Sequence, residues 1–375
     1  FLKSRGFTHG HYPASLAIST VGGWVNTKSN GHFSLYFGNI ENLVAAVEGI
    51  NGRGEIVKLA GDSLKKVFRM EGATLIVTRA WLKVFKISVY DDFYSFRFNR
   101  IGAMVDFLKK MPDLRELLKQ LGVRLYAVRA YDFVDYKFMS KPHIGDSRKP
   151  LWLKKIRYFA EKQLCRAGRM VSSAVRILER RGKAPWTVVV YMSSDSPEAL
   201  SQVAEILKKE VQIYHGTDLG SATAQSWYLH RFKLGYDKVI ERFDADITVD
   251  TFECTMAWER IIEAYETVRA IIFKFGLVGT HIGIDLDKPY LYFIFGIAGK
   301  NKQRYDRIRE EILHACIKIS IPTTHHHGIG WKVGKNKALA RYAYSNEWYL
   351  NTAIPAKQEM DPWNILSDNF FENIS

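Results

Sequence analysis

Two adjacent glycines, Gly22-Gly23, stand inside Ser19-Thr20-Val21-Gly22-Gly23-Trp24-Val25-Asn26-Thr27, and this string limits the chain more than any other. Glycine has no Cβ, so a pair of glycines between β-favouring residues predicts a tight backbone turn whose N–H groups a flat or anionic ligand can approach closely. Pro13, in the run-in Gly10-His11-Tyr12-Pro13-Ala14-Ser15, fixes a loop ahead of it. The run-out Tyr36-Phe37-Gly38-Asn39-Ile40-Glu41-Asn42 leads into two strands, Val44 to Ile50 and Glu55 to Leu59, around the hairpin signal Asn51-Gly52-Arg53-Gly54. A lone Gly-Gly is more often an ordinary turn; the order of the whole string is what is specific.

The 375 residues are 47% hydrophobic and 25% charged, which argues for two or three packed domains and against disorder. A net charge of +15 suits an anionic partner: a phosphate-bearing ligand, an acidic subunit or an anionic membrane surface. No nucleic-acid-binding motif accompanies the charge, so no nucleic acid is expected. Cys165, Cys254 and Cys316 are few, odd in number and far apart, which predicts reduced thiols in a cytoplasmic chain. No run of 18 uncharged apolar residues is present, so any membrane contact is expected to be peripheral.

Beyond residue 85 the pattern is α+β. Ile87 to Phe98 alternates as a strand, and Ile101 to Met111 and Leu114 to Leu121 read as amphipathic helices. Val123 to Val128 is a strand running into Arg129-Ala130-Tyr131-Asp132, where Arg129 and Asp132 can make a strand-end salt bridge. Residues 141 to 184 carry thirteen basic against three acidic residues, interleaved with Trp152, Ile156 and Phe159. That stretch fits a solvated helical hairpin, a basic helix lying on an anionic membrane, or a docking face for a subunit. Pro185 to Met192 is a buried strand, Pro197 to Glu210 a helix, and Val211-Gln212-Ile213-Tyr214 another strand. Alternation along Pro289 to Phe295 puts Tyr290, Tyr292 and Ile294 on one face. In Thr324-His325-His326-His327-Gly328, an extended backbone places His325 and His327 on one face and His326 on the other. Such imidazoles can trade protons near neutral pH or hold a metal, but only His281 offers itself as a further ligand, so no metal is expected.

Together the strings Pro13-Ala14-Ser15, Ser19 to Trp24, Phe37 to Asn42, Val249-Asp250-Thr251-Phe252-Glu253-Cys254-Thr255 with Trp258, His325-His326-His327-Gly328-Ile329-Gly330 and Asp361-Pro362-Trp363-Asn364-Ile365-Leu366 resemble the FAD-linked oxidases of the vanillyl-alcohol-oxidase (PCMH) type. Within them the chain looks most like the alkylglycerone-phosphate synthase group, with D-2-hydroxy-acid dehydrogenases as relatives. The resemblance implies an α+β fold: a partial FAD-binding domain at 1–85, a cap or substrate domain with an antiparallel sheet and covering helices at 86–335 (141–184 a basic helical insertion), and a segment at 336–375 packing back on the flavin domain. It implies FAD, with Pro13, Ser15, Ser19, Thr20, Gly22, Gly23, Trp24 and Thr27 around it, and with Gly38, Asn39, Ile40, Glu71 and Ile76 beside them. It implies Tyr292 as acid–base, His325, His326 and His327 at the proton and oxyanion, and Arg231, Lys238 and Arg129 on an anionic hydroxy acid or glycerone-phosphate-type substrate.

The chain departs from the pattern at Leu75 and at Arg69-Met70, where the family has glycine and Gly-Ser, and a larger residue there is expected to block a ligand or push the loop outward. Lys238 stands where the synthases carry arginine, and lysine lacks the two-point planar grip. The chain opens on Phe1, whereas the family places a βαβ piece with a glycine-rich pyrophosphate loop before the opening string. The expectation is therefore a flavoenzyme or its larger subunit, oligomeric, with the rest of the FAD domain either on a longer chain of which this is a fragment, supplied by a second polypeptide, or lost. A D-2-hydroxy-acid dehydrogenase and a non-catalytic scaffold on the same fold are the alternatives.

Overall fold

The computed structural model describes residues 1–140, 150–232, 236–328 and 345–367, except the side chains of 138–140, 151 and 236–238. Its largest element is a seven-stranded antiparallel sheet, in the order β10-β12-β11-β7-β8-β6-β9. The strands are β6 (Tyr90–Phe98), β7 (Val123–Tyr131), β8 (Trp186–Ser194), β9 (Thr217–Asp218), β10 (Ile247–Thr255), β11 (Leu277–Asp285) and β12 (Lys288–Ala298). One face carries Phe96, Phe98, Val188, Val190, Met192, Ile282, Phe293 and Phe295, all buried in the main core under the helices. The other presents Phe93, Tyr126 and Tyr191 in a separate aromatic cluster with Phe33 and Phe37 of the N-terminal part. This is the period-two division a sheet imposes. A register shift between Leu125 and Ala127 bulges β7, so Tyr126 and Ala127 both join that aromatic cluster.

A second, three-stranded sheet is formed by β2 (Val44–Asn51), β3 (Ile56–Ala60) and β4 (Leu75–Leu82), in the order β3-β2-β4. β2 and β3 are the hairpin that Asn51-Gly52-Arg53-Gly54 signals. A short pair, β1 (Phe7–Thr8) with β5 (Phe85–Lys86), ties the N-terminus to the junction between the two parts.

Three expectations change. Gly22-Gly23 is not a turn but opens the helix α1 (Val21–Thr27), because Thr20 caps it by accepting the Gly23 N–H at 3.1 Å. The missing Cβ of Gly22 instead allows close packing on β4, where an added Cβ would lie 3.3 Å from Val77 Cβ. Val211 to Ile213 is not a strand but the last turn of the helix Pro197–Ile213. Leu200, Val203, Ala204, Leu207 and Val211 form that helix's buried stripe at helical spacing. Leu75 blocks nothing: it is fully buried in the small-sheet core, in room left by Gly49, where a Cβ would come within 2.8 Å of Leu75 Cγ. Arg69 adopts φ +65°, the left-handed backbone that glycine takes more easily.

Residues 151–180 are two consecutive helices, Leu151–Arg166 and Gly168–Arg180, joined at Ala167, which leave Trp152, Ile156, Phe159 and Met170 58–76% exposed. No helix among the described residues is long and apolar enough to cross a membrane. Near the C-terminus the helix Ile354–Met360 lies against the small sheet, with the Gly52 N–H donating to the Met360 carbonyl at 2.8 Å.

Candidate functional site

Antiparallel register builds the site. Glu253 on β10 lies directly opposite Tyr292 on β12, Tyr292 opposite His281 on β11, and His281 opposite Tyr131 on β7. Directly paired residues project to the same face, so four residues far apart in sequence form one row across four strands, on the face away from the main core. The His281 ring stacks on Tyr292, centroids 4.7 Å apart at 18°. Its Nδ1 lies 2.9 Å from the buried Asp135 carboxylate. Burial lowers the His281 pKa against the pull of Asp135, so the ring is neutral, with Nδ1–H facing the carboxylate and Nε2 bare. Burial likewise raises the Tyr292 phenol well above its ordinary pKa and keeps it protonated.

The triple histidine is not a strand. Glu253 Oε1 accepts the consecutive backbone N–H groups of His325, His326 and His327 at 3.2, 2.6 and 2.5 Å. A strand alternates its N–H directions and cannot aim three in a row at one oxygen, so the expectation that His325 and His327 share a face is replaced by a loop wrapped on a buried carboxylate. Burial penalises that carboxylate, but the neighbouring His326 and His327 rings and the three N–H donors outweigh it, and Glu253 stays ionised well below the usual range. His325 is buried, stacks on Tyr290 at 4.8 Å and places Nε2 3.2 Å from Asp285. His326 and His327 close over Tyr292, with centroids 6.1 and 5.2 Å away. His327 reaches the surface, with its side chain 41% exposed.

Arg129 and Asp132 do not form the strand-end salt bridge. Residues three apart on a strand face opposite ways: Asp132 turns to Tyr265 and the charge of Arg269 on the helical side, and burial pushes its pKa up to about 7. Arg129 faces the site, hydrogen-bonds Tyr290, and its charge reaches His32, His281, Tyr292 and His326. Arg231 lies over Tyr228 at 3.8 Å and Phe232 at 4.4 Å. Burial first, then the charges of Arg129 and Arg231, hold His32 well below its ordinary pKa. The side chain of Lys238 lies outside the described residues, as do Ile329 and Gly330.

The residues expected at the cofactor mostly hold their own backbone. Pro13 is buried and its carbonyl accepts the Leu16 N–H, while Ser15 and Ser19 bond each other and Ser19 accepts the Trp24 indole at 2.7 Å. Thr27 returns its hydroxyl to the Gly23 carbonyl, and Ile40 is fully buried behind the left-handed Gly38. Asn39 donates to Asp285 at 2.8 Å, which joins the N-terminal part to the histidine loop. Glu71 sits against Gly328, where an added Cβ would meet its carboxyl at 2.5 Å. Ile76 is 54% exposed beside Ile50 and Ile56, facing away from the row.

A group of unpartnered polar atoms lies between the two parts. Both side-chain polar atoms of Asn30, His32 Nδ1 and His11 Nδ1 are buried without a hydrogen-bond partner. An unpaired buried polar atom costs about 1–3 kcal/mol, so a group of them is a place where a polar-edged molecule would be stabilised. His9, Tyr12, Trp24, Phe33 and Trp227 supply flat rings beside them. That combination fits the ring end of a flavin. His32, Asn30, Asp135 and Asp285 carried no signal in the sequence, and Glu253 was visible only as one letter of a longer string.

A family profile described as "FAD linked oxidases, C-terminal domain" matches residues 158–369, and one described as "FAD binding domain" matches residues 1–60. Alkyldihydroxyacetonephosphate synthase of Caenorhabditis elegans is 23% identical over 98% of this chain and 61% of its own length. That of Dictyostelium discoideum is 25% identical over 97% and 58%. An uncharacterized FAD-linked oxidoreductase of Escherichia coli K12 is 24% identical over 98% and 71%. A solved alkyldihydroxyacetonephosphate synthase superposes with a TM-score of 0.65 at 18% identity, over 97% of this chain and 61% of that one, a likeness of fold. The chain thus spans about three fifths of the synthases it matches.

Proposed function

The chain belongs to the FAD-linked oxidase family, whose cofactor is FAD, and from that premise we propose that it is a flavoenzyme acting on a small anionic oxygenated substrate of the glycerone-phosphate or hydroxy-acid type. The observation that carries this reading is the row Glu253–Tyr292–His281 on one face of the large sheet, with Arg129 hydrogen-bonded to Tyr290 beside it. Bound FAD supplies a ring system able to accept a hydride or a nucleophile. Asn30, His32 and His11 would meet its polar edge. Arg129 and Arg231 bind the substrate's anionic group, a charge-assisted contact well suited to guanidinium. Tyr292, protonated at rest, donates to a substrate oxygen, and His281, neutral and held by Asp135, is the neighbouring ring that takes up or returns a proton. The names of the synthase relatives favour the glycerone-phosphate version.

Two surfaces belong to the same reading. The exposed Ile50–Ile56–Ile76 ladder is a face that an oligomeric partner covers. Trp152, Ile156 and Phe159 on their basic helix attach the protein peripherally to an anionic membrane. The test is a visible absorption spectrum of the protein purified from its own source, with co-purifying chains identified. Flavin bands are expected; a colourless protein that takes up no added FAD leaves a scaffold on an enzyme fold. With flavin present, a lipid ether product marks the synthase reading, and a dye reduced by a D-2-hydroxy acid with no lipid product marks the dehydrogenase. Arg231→Ala is expected to raise KM for the anionic substrate at least tenfold with kcat changed only a few-fold, because an anion grip held equally in ground and transition states acts on binding.

A further inference from the structure

We propose that the helical side of the large sheet holds a second anion site, a pocket in which Arg100, Arg176 and Arg180 bind a phosphate monoester. A cavity of about 380 Å³ lies there, on the far side of the sheet from the row Glu253–Tyr292–His281. Pockets for small molecules run to about 300–1,000 Å³. Trp186 and Tyr265 form its floor, 3% and 1% exposed, with their rings 5.3 Å apart. Arg176 and Arg180 come from the helix Gly168–Arg180, one turn apart. Arg100 comes from another element, at the N-cap of the helix Ile101–Lys109.

The lining favours an anion on several counts. Among the described residues Arg100, Arg176 and Arg180 have no hydrogen bond or ion pair, whereas the more buried Arg242, Arg269 and Arg309 each hold a carboxylate. Of the two lining carboxylates, Glu179 is turned to Arg269 at 2.8 Å, which leaves the exposed Glu266 against three guanidiniums. Arg269 adds a further positive charge beside Glu179 and Tyr265, buried and with its Nε unpartnered. The helix Ile101–Lys109 has no side-chain cap, and Ile101 and Gly102, its first two residues, line the cavity. Their N–H groups are the positive end of that helix.

Three guanidiniums against one free carboxylate leave a surplus of two positive charges, which matches the charge of about −1.5 to −2 on a phosphate monoester at pH 7 and exceeds that of a carboxylate. The planar guanidinium fork fits phosphate oxygens, and the aromatic floor fits a flat or apolar group that carries the phosphate. The pocket shares no residue with the flavin reading and stands without bound FAD.

The experiment titrates phenyl phosphate into the full chain by calorimetry. About one equivalent is expected in this pocket. Arg176→Ala with Arg180→Ala should weaken it by about tenfold or more and leave circular dichroism unchanged, since both side chains are exposed. Gly102→Leu tests the cavity and not the charge. A Cβ there meets nothing within 4 Å, and leucine favours a helix, so the fold holds while the pocket is filled and binding is lost. Arg181→Ala, an exposed neighbour outside the lining, should change nothing. Arg231→Ala, on the other face, should leave this equivalent in place. No uptake, uptake that Gly102→Leu does not alter, or an equivalent lost in Arg231→Ala instead overturns the pocket. With the pocket upheld, binding to phosphatidic acid vesicles that Gly102→Leu abolishes marks a lipid headgroup as the source of the phosphate, and vesicle binding indifferent to Gly102→Leu marks a soluble ester. Flavin absorbance is read separately, so a colourless protein that binds phenyl phosphate here supports the pocket while sinking the flavoenzyme.

Discussion

Replacing Asp361 by alanine is expected to lower the stability of the fold by about 3–5 kcal/mol, read as a shift in the urea midpoint with little change in slope. Asp361 is 2% exposed and accepts Lys357 Nζ at 2.5 Å, while Lys357 is 1% exposed. The same ammonium donates to the Ala73 carbonyl at 3.1 Å and to that of Leu366, and Asp361 also takes the Ile365 and Leu366 N–H groups. Gly52 of the β2–β3 hairpin packs so closely on Asp361 that a Cβ there would collide with it. One ion pair thus clasps the C-terminal helix, the hairpin and the approach to β4. Removing the acid takes the counter-charge from a buried ammonium and leaves it neutral carbonyl partners, which offset its desolvation only in part. Lys357→Met with Asp361→Leu should recover much of the loss, because an apolar pair leaves no buried charge. The exposed pair Lys302–Asp306 is the control: Asp306→Ala should cost under about 1 kcal/mol. Equal effects at the two sites would remove the clasp from the account.

Local chemistry and long-range pairing were not equally legible. The β2–β3 hairpin could be read because turn residues and alternating neighbours encode it within a few positions. The run Pro289 to Phe295 could be read as a strand with Tyr290 and Tyr292 on one face, since that needs only period two. Gly22-Gly23 was misread because the deciding group, the Thr20 cap, acts through a hydrogen bond that competes with the turn. Val211 was misread because β-branched residues favour strands, and a helix already burying Leu207 recruits it all the same. The site was hidden in the register. Nothing near Glu253 says that it will lie opposite Tyr292, and nothing near His32 says that Arg129 and Arg231 will both reach it. The triplet His325–His327 was visible as chemistry, but its conformation was not, because a carboxylate on another element sets it.

Tyr292→Phe is expected to lower kcat by about 10²–10⁴-fold, the usual yield of a positioned acid–base group, with KM and flavin absorbance nearly unchanged. The substitution deletes one oxygen and keeps the ring, so the stack on His281 at 4.7 Å and the lid of His326 and His327 survive. A loss of that size is then assigned to the hydroxyl and not to packing. Tyr290→Phe is the comparison, being also buried, on the same strand face and stacked on a histidine. Its hydroxyl bonds Arg129, which the anion-binding role claims, so its loss should appear in KM first. His281→Ala separates the proton's donor from its reservoir: it should lower kcat less than Tyr292→Phe, and the double variant should fall no further than Tyr292→Phe alone, since the two act on one proton. If Tyr292→Phe keeps half of the wild-type kcat under conditions where chemistry limits turnover, the phenol is only a wall of the site, and the acid–base group must be sought among His281, His326 and His327.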